Sequence, residues 1–296
     1  MFCGQNHLKI LSGTKAKMNL KGFILVLCVV TITVAARNRR FELSNKYTAT
    51  AFNHRQMFLV MHYTVANFTK SVDLLTNHLS AHYLVPKGYH NRKRVVYQLV
   101  PEDKRAWTQG VSEWQKRQNL NDQGISIEIV NKGFTDLPNG NRIWYPFDAA
   151  QIKSVIELSQ DIIKRYKIKP YNVIGHSDCS PLRKEDPGPL FPWKKLFDAG
   201  IGAWPDQMDV DYFIKQMPSN MEINVKEYQL ALKKYGYNIE PTGAFDLATK
   251  AVVKRFQMHF RNSKFDGVMD VETFAILKAL LRKYFGEYKK LIIDFN

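Results

Sequence analysis

Apolar and polar positions change period along this chain, and the changes mark the elements. Phe58 to Tyr63 is a short apolar run interrupted only by His62, and it predicts a buried strand. Thr69 to Leu79 places Val72, Leu75 and Leu79 at helical spacing, with Asn67 or Thr69 available as its cap. His82 to Val85 and Val95 to Leu99 predict further strands. From Ile125 to Asn131, Ile125, Ile127 and Ile129 alternate with Ser126 and Glu128, so a strand there turns the serine and the glutamate away from the isoleucines. Asp148 to Tyr166 carries one apolar stripe through Ile152, Val155, Ile156, Ile162 and Ile163. Asp148 stands at its cap, Lys164, Arg165 and Lys167 suit its C-terminal end, and Pro170 stops it. A strand from Asn172 to Gly175 follows. Strands mixed with helices and one long crossover predict an α/β domain, a mixed central sheet flanked by helices.

The pattern changes after Trp204. A short helix is expected from Asp209 to Gln216, within a connection running to residue 220. Beyond it, Gly243-Ala-Phe-Asp246-Leu-Ala-Thr249 is echoed by Gly267-Val-Met-Asp270-Val-Glu-Thr273. Each unit reads as a glycine turn, an apolar anchor, an aspartate cap and a helix. With a preceding helix over Val225 to Tyr235, the predicted helices Leu247 to Phe260 and Val271 to Tyr284 make a small three-helix domain. In it Phe256 and Tyr237 read as core, and His259 is the only histidine, lying on a helix beside Phe256 and Phe260.

Length and composition narrow the classes. A chain of 296 residues suits two domains, and 45% hydrophobic with 24% charged residues suits folded cores. The formal charge is +16; residues 1–36 hold four lysines and no acid, which leaves +12 on the remainder. Such a chain favours anionic polymers. The basic residues are scattered and no nucleic-acid fold motif accompanies them, so no nucleic-acid partner is expected. Lys15, Lys17 and Lys21 precede an apolar run from Phe23 to Ala36, and Val34-Ala-Ala36 offers a cleavage site. Residues 1–36 therefore read as an export signal, with Met18 a plausible true start. The mature protein is expected in the periplasm or at the cell wall. The run is shorter than the ~20 residues that span a bilayer, but uncleaved it offers a transient membrane association. Cys28 has Leu27 before it, which disfavours lipidation. Removal of the signal would leave Cys179 without a disulfide partner.

The chemistry concentrates in His176-Ser-Asp-Cys-Ser-Pro-Leu-Arg-Lys184-Glu-Asp186-Pro-Gly-Pro. One histidine leaves a strand end, and a carboxylate returns ten residues later on a loop stiffened by Pro and Gly. His62 ends another apolar run. Two imidazoles and one carboxylate leave a zinc ion one open position, as catalytic zinc requires. The spacing equally allows two ordinary strand-end histidines and a turn-capping aspartate. Glu128 reads either as a carboxylate on an active face or as a solvated strand residue. A Cys179 thiol mechanism has no second catalytic group beside it.

Several motifs decide between these alternatives. Val60-Met-His62-Tyr-Thr, Leu79-Ser-Ala-His82, Tyr97-Gln-Leu-Val-Pro-Glu-Asp-Lys-Arg-Ala-Trp107, Asn119-Leu-Asn-Asp122, Gly124-Ile-Ser-Ile-Glu128 and Arg183-Lys-x-Asp186-Pro-Gly-Pro follow one another in order. Together, from about Phe58 to Leu196, they resemble the type 2 zinc-dependent N-acetylmuramoyl-L-alanine amidases, the AmiD- and AmpD-like enzymes. The C-terminal helices resemble a peptidoglycan-binding domain.

The resemblance implies Zn2+ on His62, His176 and Asp186, Glu128 as general acid and base, and Lys184 supporting the developing oxyanion. It implies cleavage, by zinc-activated water, of the amide between the muramic acid lactyl group and L-alanine, in peptidoglycan or muropeptides. His82 is expected to be structural or to contact substrate, because a fourth protein ligand would close the site. Where many relatives have histidine, this chain has Thr108, which bears on substrate contacts and rate rather than on the metal. The alternative is a non-catalytic peptidoglycan-recognition or wall-anchoring protein, which would be expected to lack a ligand. The expected division is a signal over 1–36, an amidase domain over 41–203, a linker over 204–220 and a wall-binding domain over 221–290, in a monomer. Removing everything after about Pro218 is expected to spare turnover of soluble muropeptides while weakening attachment to sacculi.

Overall fold

The computed structural model describes residues 41–89, 91–218 and 221–288. The expected signal over 1–36 and the final residues 289–296 lie outside these. The chain divides into two units, 1–52 and 53–296. Residues 41–52 are exposed and contain no helix or strand.

In the second unit the elements follow the hydrophobic pattern closely. They are β1 (Phe58–Tyr63), α1 (Phe68–Asn77), β2 (Tyr83–Val85), β3 (Tyr97–Gln98), β4 (Glu113–Trp114), β5 (Arg117–Gln118), β6 (Gly124–Ile129), β7 (Phe134–Asp136) and β8 (Arg142–Trp144). Then come α2 (Ala149–Tyr166), β9 (Val173–Gly175), α3 (His176–Cys179), α4 (Trp193–Asp198), α5 (Gln207–Lys215), α6 (Val225–Tyr235), α7 (Leu247–Phe260) and α8 (Val271–Phe285). Asn67 caps α1 by accepting from the Lys70 amide, and Asp148 caps α2 by accepting from Ala150 and Gln151. The predicted strand over Val95–Leu99 shortens to two residues, since it pairs only antiparallel to β2 at the sheet edge.

The main sheet has the order β3-β2-β6-β1-β9, parallel except at β3. Alternation along β1 sends Leu59 and Met61 into a core with Ile152, Val155 and Ile162 of α2. Phe58 and Val60 face the other way. With Ile174, Trp114, Leu120 and Cys179 they enter a second core, which also contains Leu232, Tyr235, Tyr237, Val252, Phe256 and Phe274 of the C-terminal helices. That second core has a consequence for the expected linker: α5 lies inside it, with Val210 and Phe213 buried against the same residues. The described part of that stretch, residues 204–218, thus contributes packed structure through α5, and the helical region is not tethered at a distance.

The duplicated glycine motif has a physical basis. Gly243 and Gly267 both adopt φ near +81°, which favours glycine. At each turn a buried glutamine from the preceding helix completes the hydrogen bonding. Gln229 accepts from the Gly243 amide and donates to the Thr249 hydroxyl; Gln257 does the same with Gly267 and Thr273. Asp246 and Asp270 cap α7 and α8 by accepting from the Thr249 and Thr273 amides.

The expectation of membrane association needs correcting. No helix among the described residues is long and apolar enough to cross a membrane. The apolar run over 23–36 that suggested it lies outside those residues, so nothing in the fold supports that partner.

Candidate active site

Strand register builds most of the site. In β1 and β6, His62 stands directly beside Glu128. In β1 and β9, Met61 stands beside Gly175, so His176 follows at the next position of the neighbouring strand line. Three adjacent parallel strands therefore bring Glu128, His62 and His176 to their C-terminal ends, the usual place for ligands in parallel sheets. The fourth group comes from the loop after α3. Gly175 permits that loop's approach, since a Cβ there would stand 2.6 Å from Pro187 Cδ. The Ser177 amide donates to the Asp186 carbonyl at 2.8 Å, and the Asp186–Pro187 peptide is cis.

Asp186 Oδ2 lies 3.0 Å from His62 Nδ1 and 3.1 Å from His176 Nδ1, and the two Nδ1 atoms are 3.1 Å apart. All three residues are buried, and they form a metal-ligand cluster. The donor set fits zinc. Nitrogen and carboxylate ligands about 2.0–2.1 Å from a tetrahedral ion stand about 3.3 Å from one another. The His176 tautomer fits as well. His176 Nε2 donates to the Gln109 carbonyl at 2.9 Å, which leaves the Nδ1 lone pair facing the cluster. Asn121 Oδ1 accepts from the Thr108 and Gln109 amides at 3.1 and 2.9 Å and so holds that carbonyl in place.

Burial and the neighbouring His176 push the His62 pKa down to about 4, so its imidazole is neutral at pH 7. Burial opposes ionisation of Asp186, yet the two histidines hold its carboxyl well below the usual carboxylate range. Glu128 is pushed the other way, up to about 8, by burial and by the Asp186 charge. Its Oε2 has no hydrogen-bond partner. Glu128 is therefore buried beside His62, and it is not the solvated strand residue that alternation also allowed.

A cavity of about 170 Å³ is lined by His62, His176, Asp186, Glu128, Lys184 and Thr108, with Val65, Leu75 and Leu79 adding apolar wall. Lys184 thus shares the space with the cluster. His82 is buried outside it, with Nδ1 3.1 Å from the Ser126 hydroxyl and Nε2 3.2 Å from the Lys104 carbonyl, a structural role. The Thr108 hydroxyl donates to the Ser80 carbonyl at 2.7 Å and lies 2.9 Å from the Ser126 hydroxyl. Cys179 is buried, and burial together with Asp178 pushes its thiol pKa up, away from nucleophilic use.

Reading along the chain gave Asp178, Arg255 and His259 no role near the site. Asp178 is fully buried and accepts from the Gly175 amide, from the Tyr237 hydroxyl and at His259 Nδ1, each at 2.7 Å. The available signal was a polar pair, Arg255 and His259, one turn apart on the apolar face of a helix.

Comparisons with known proteins agree with this geometry. Residues 53–189 match the family described as N-acetylmuramoyl-L-alanine amidase, and residues 222–277 match a peptidoglycan binding domain. The chain is 41% identical to N-acetylmuramoyl-L-alanine amidase AmiD of Escherichia coli over 82% of this chain and 89% of that one. A solved complex of E. coli AmiD with anhydro-N-acetylmuramic acid-L-Ala-D-gamma-Glu-L-Lys superposes with a TM-score of 0.78, covering 83% of this chain and 96% of that chain. AmpDh3 of Pseudomonas aeruginosa, bound to an anhydromuramic pentapeptide, is 39% identical and superposes with a TM-score of 0.77 over 83% and 99% of the two chains. With His62, His176 and Asp186 all in place, the non-catalytic alternative loses the missing ligand it required. Site, fold and relatives converge, and the chain belongs to the zinc-dependent N-acetylmuramoyl-L-alanine amidases of type 2.

Proposed function

We propose that in hydrolysis of the amide joining the muramic acid lactyl group to L-alanine, Glu128 moves the protons and Lys184 stabilises the developing charge. The observation that carries this reading is the strand row, in which unpaired Glu128 stands beside ligand His62. His62, His176 and Asp186 would hold the zinc ion, which supplies Lewis acidity that acidifies water and polarises the carbonyl. Glu128 accepts the proton that water loses as its oxygen adds to the carbonyl carbon. It returns that proton to the nitrogen as the C–N bond breaks, releasing the lactate carboxyl and the L-alanine amine. A dication nearby favours ionised Glu128 despite its burial. Lys184, on the cavity wall, offers a fixed cation to the oxygen that gains charge. The small molecule held by E. coli AmiD supports a soluble anhydro-muropeptide as one substrate here.

Purified protein is expected to contain about one zinc per chain, and chelation is expected to abolish release of the L-alanine peptide. Turnover that survives complete metal removal rejects the reading.

We further propose export, with residues 1–36 removed, on the charged, apolar and small-residue order of that segment. N-terminal sequencing of the exported protein tests it, and a chain beginning at Met1 or Met18 contradicts it. The proposed catalytic region is 41–203 and the proposed wall-binding region is 221–290, with 204–220 joining them.

A further inference from the structure

The loop from Pro181 to Pro189 carries both Lys184 and Asp186, yet it belongs to no strand. Its polar anchors are informative. Arg255 of α7 donates from Nε to the Pro181 carbonyl at 3.2 Å and pairs through Nη1 with Glu185 Oε1 at 2.9 Å. Asn262, just beyond α7, donates to the Pro189 carbonyl at 3.0 Å. The other Glu185 oxygen pairs with Arg142 of β8. Glu185 lies between Lys184 and Asp186, so its carboxylate is clamped from two sides at the centre of the working loop. Arg255 is only 8% exposed and Glu185 is partly buried, which limits solvent screening of the pair. One turn further along the same helix, His259 reaches Asp178, two residues after His176, while its ring stacks on Trp193 with centroids 3.8 Å apart.

We infer that Arg255, a residue of the wall-binding region, is a positioning residue for the amidase reaction, acting through Glu185 to set the loop that presents Lys184 and Asp186. The helical region is then a structural part of the catalytic unit as well as its attachment to the wall. The physical reason lies in the loop. His62 and Glu128 are held by continuous strand hydrogen bonding, whereas the loop of Lys184 and Asp186 has only isolated backbone bonds, such as the Lys184 amide to the Ser180 carbonyl and the Ser177 amide to the Asp186 carbonyl, and is completed by side-chain anchors. Displacement of a catalytic group by about 1 Å can cost as much as 10²-fold in rate. The inference rests on the zinc amidase reading above. It is separable from it, because zinc retention reports on Asp186 whatever Lys184 does.

The test uses the full-length zinc enzyme with Arg255→Met, Arg255→Lys, Glu185→Gln and the Arg255→Met/Glu185→Gln pair. Four quantities are measured: kcat and KM on a soluble anhydro-muropeptide, zinc retention against a competing chelator, pelleting with sacculi, and the melting temperature. Arg255→Met is expected to lower kcat about tenfold or more, with KM changed by less than about threefold. Zinc should be lost at roughly tenfold lower chelator concentration, and pelleting should stay as in the wild type. Arg255→Lys should recover part of kcat by restoring the charge opposite Glu185. The double variant should be no worse than the worse single one, because both act on one link. If Arg255→Met lowers only the melting temperature, with kcat and zinc retention within about twofold of wild type, the inference is overturned and Arg255 is ordinary packing. Equal loss for Lys and Met also overturns it. If Arg255→Met fails to fold, Glu185→Gln, which preserves the shape of the loop, decides alone: an unchanged kcat rejects the link and a tenfold loss supports it.

Discussion

The strand row and the loop opposite it position their groups by different means. Glu128, His62 and His176 stand on or directly after three neighbouring parallel strands, and backbone register alone puts them side by side. Lys184 and Asp186 sit on a loop whose side-chain anchors come from Arg142, from Arg255 on α7 and from Asn262 just beyond it. A row built on strands tolerates side-chain changes elsewhere, because its geometry is stored in main-chain bonds. A loop held by side chains inherits its precision from whatever it packs against. The C-terminal helices matter to both, since Phe58, Val60 and Ile174 on the site-bearing face of the sheet share their core.

Truncation after Pro218 gives the largest expected effect and would break this comparison outright if it failed. Removing the last three helices would expose Val60, Trp114, Leu120 and Ile174, now at most 1% exposed. Burial of a large apolar side chain contributes about 1.5–3 kcal/mol, and a whole domain is stable by only about 5–15 kcal/mol. The truncated chain is therefore expected to be insoluble or to melt without a cooperative transition, contrary to the spared turnover expected of a tethered domain. A soluble, cooperatively melting truncated protein with full muropeptide turnover would show the helices to be dispensable to the row.

Glu128→Gln comes next and isolates the row from the loop. Zinc content should be retained and turnover should fall roughly 10²- to 10⁴-fold, the usual contribution of a general acid–base group. A fall of only a few-fold returns Glu128 to a packing role. Lys184→Ala should also keep zinc and slow turnover. If it mainly releases the metal, Lys184 serves to hold the Asp186 loop instead.

The smallest expected effect is on stability and sharpens the electrostatic side of the row. Glu128 titrates near 8 in the fold against an ordinary 4.5, so the folded protein holds a proton that the unfolded chain gives up. This contribution is fully present below pH 4.5 and is lost as pH rises toward 8, in metal-stripped protein. Glu128→Gln cannot lose that proton. The stripped variant should therefore gain on stripped wild type across that window by an amount on the order of a few kcal/mol. Denaturant midpoints at several pH values check it, and parallel curves for the two proteins would mean that Glu128 is already ionised in the fold.

Much was legible along the chain because its causes are local. Helix caps at Asn67, Asp148, Asp246 and Asp270 each act within three residues. The repeated Gly–Asp–Thr turns and the alternation over Ile125–Ile129 are equally local. The three metal ligands were identified through a motif resemblance, since spacing alone left an ordinary reading open. Arg255 and His259 were not legible. Their partners lie 70 and 81 residues away, and a helix carrying Phe256 and Phe260 reads simply as core.

By itself, the sequence determined the main strands and longer helices with their caps, though not the two small hairpins or the short helices, and which residue types could bind a metal or move a proton. Those properties follow from side-chain period, backbone preference and intrinsic chemistry, all set within a few residues. Only the tertiary structure decided that His62 and Glu128 are neighbours, that Glu128 is buried and unpaired, and that the wall-binding helices brace the catalytic loop. Parallel register, desolvation and helix-to-loop ion pairs depend on segments distant in sequence being packed together, and no local pattern encodes that distance.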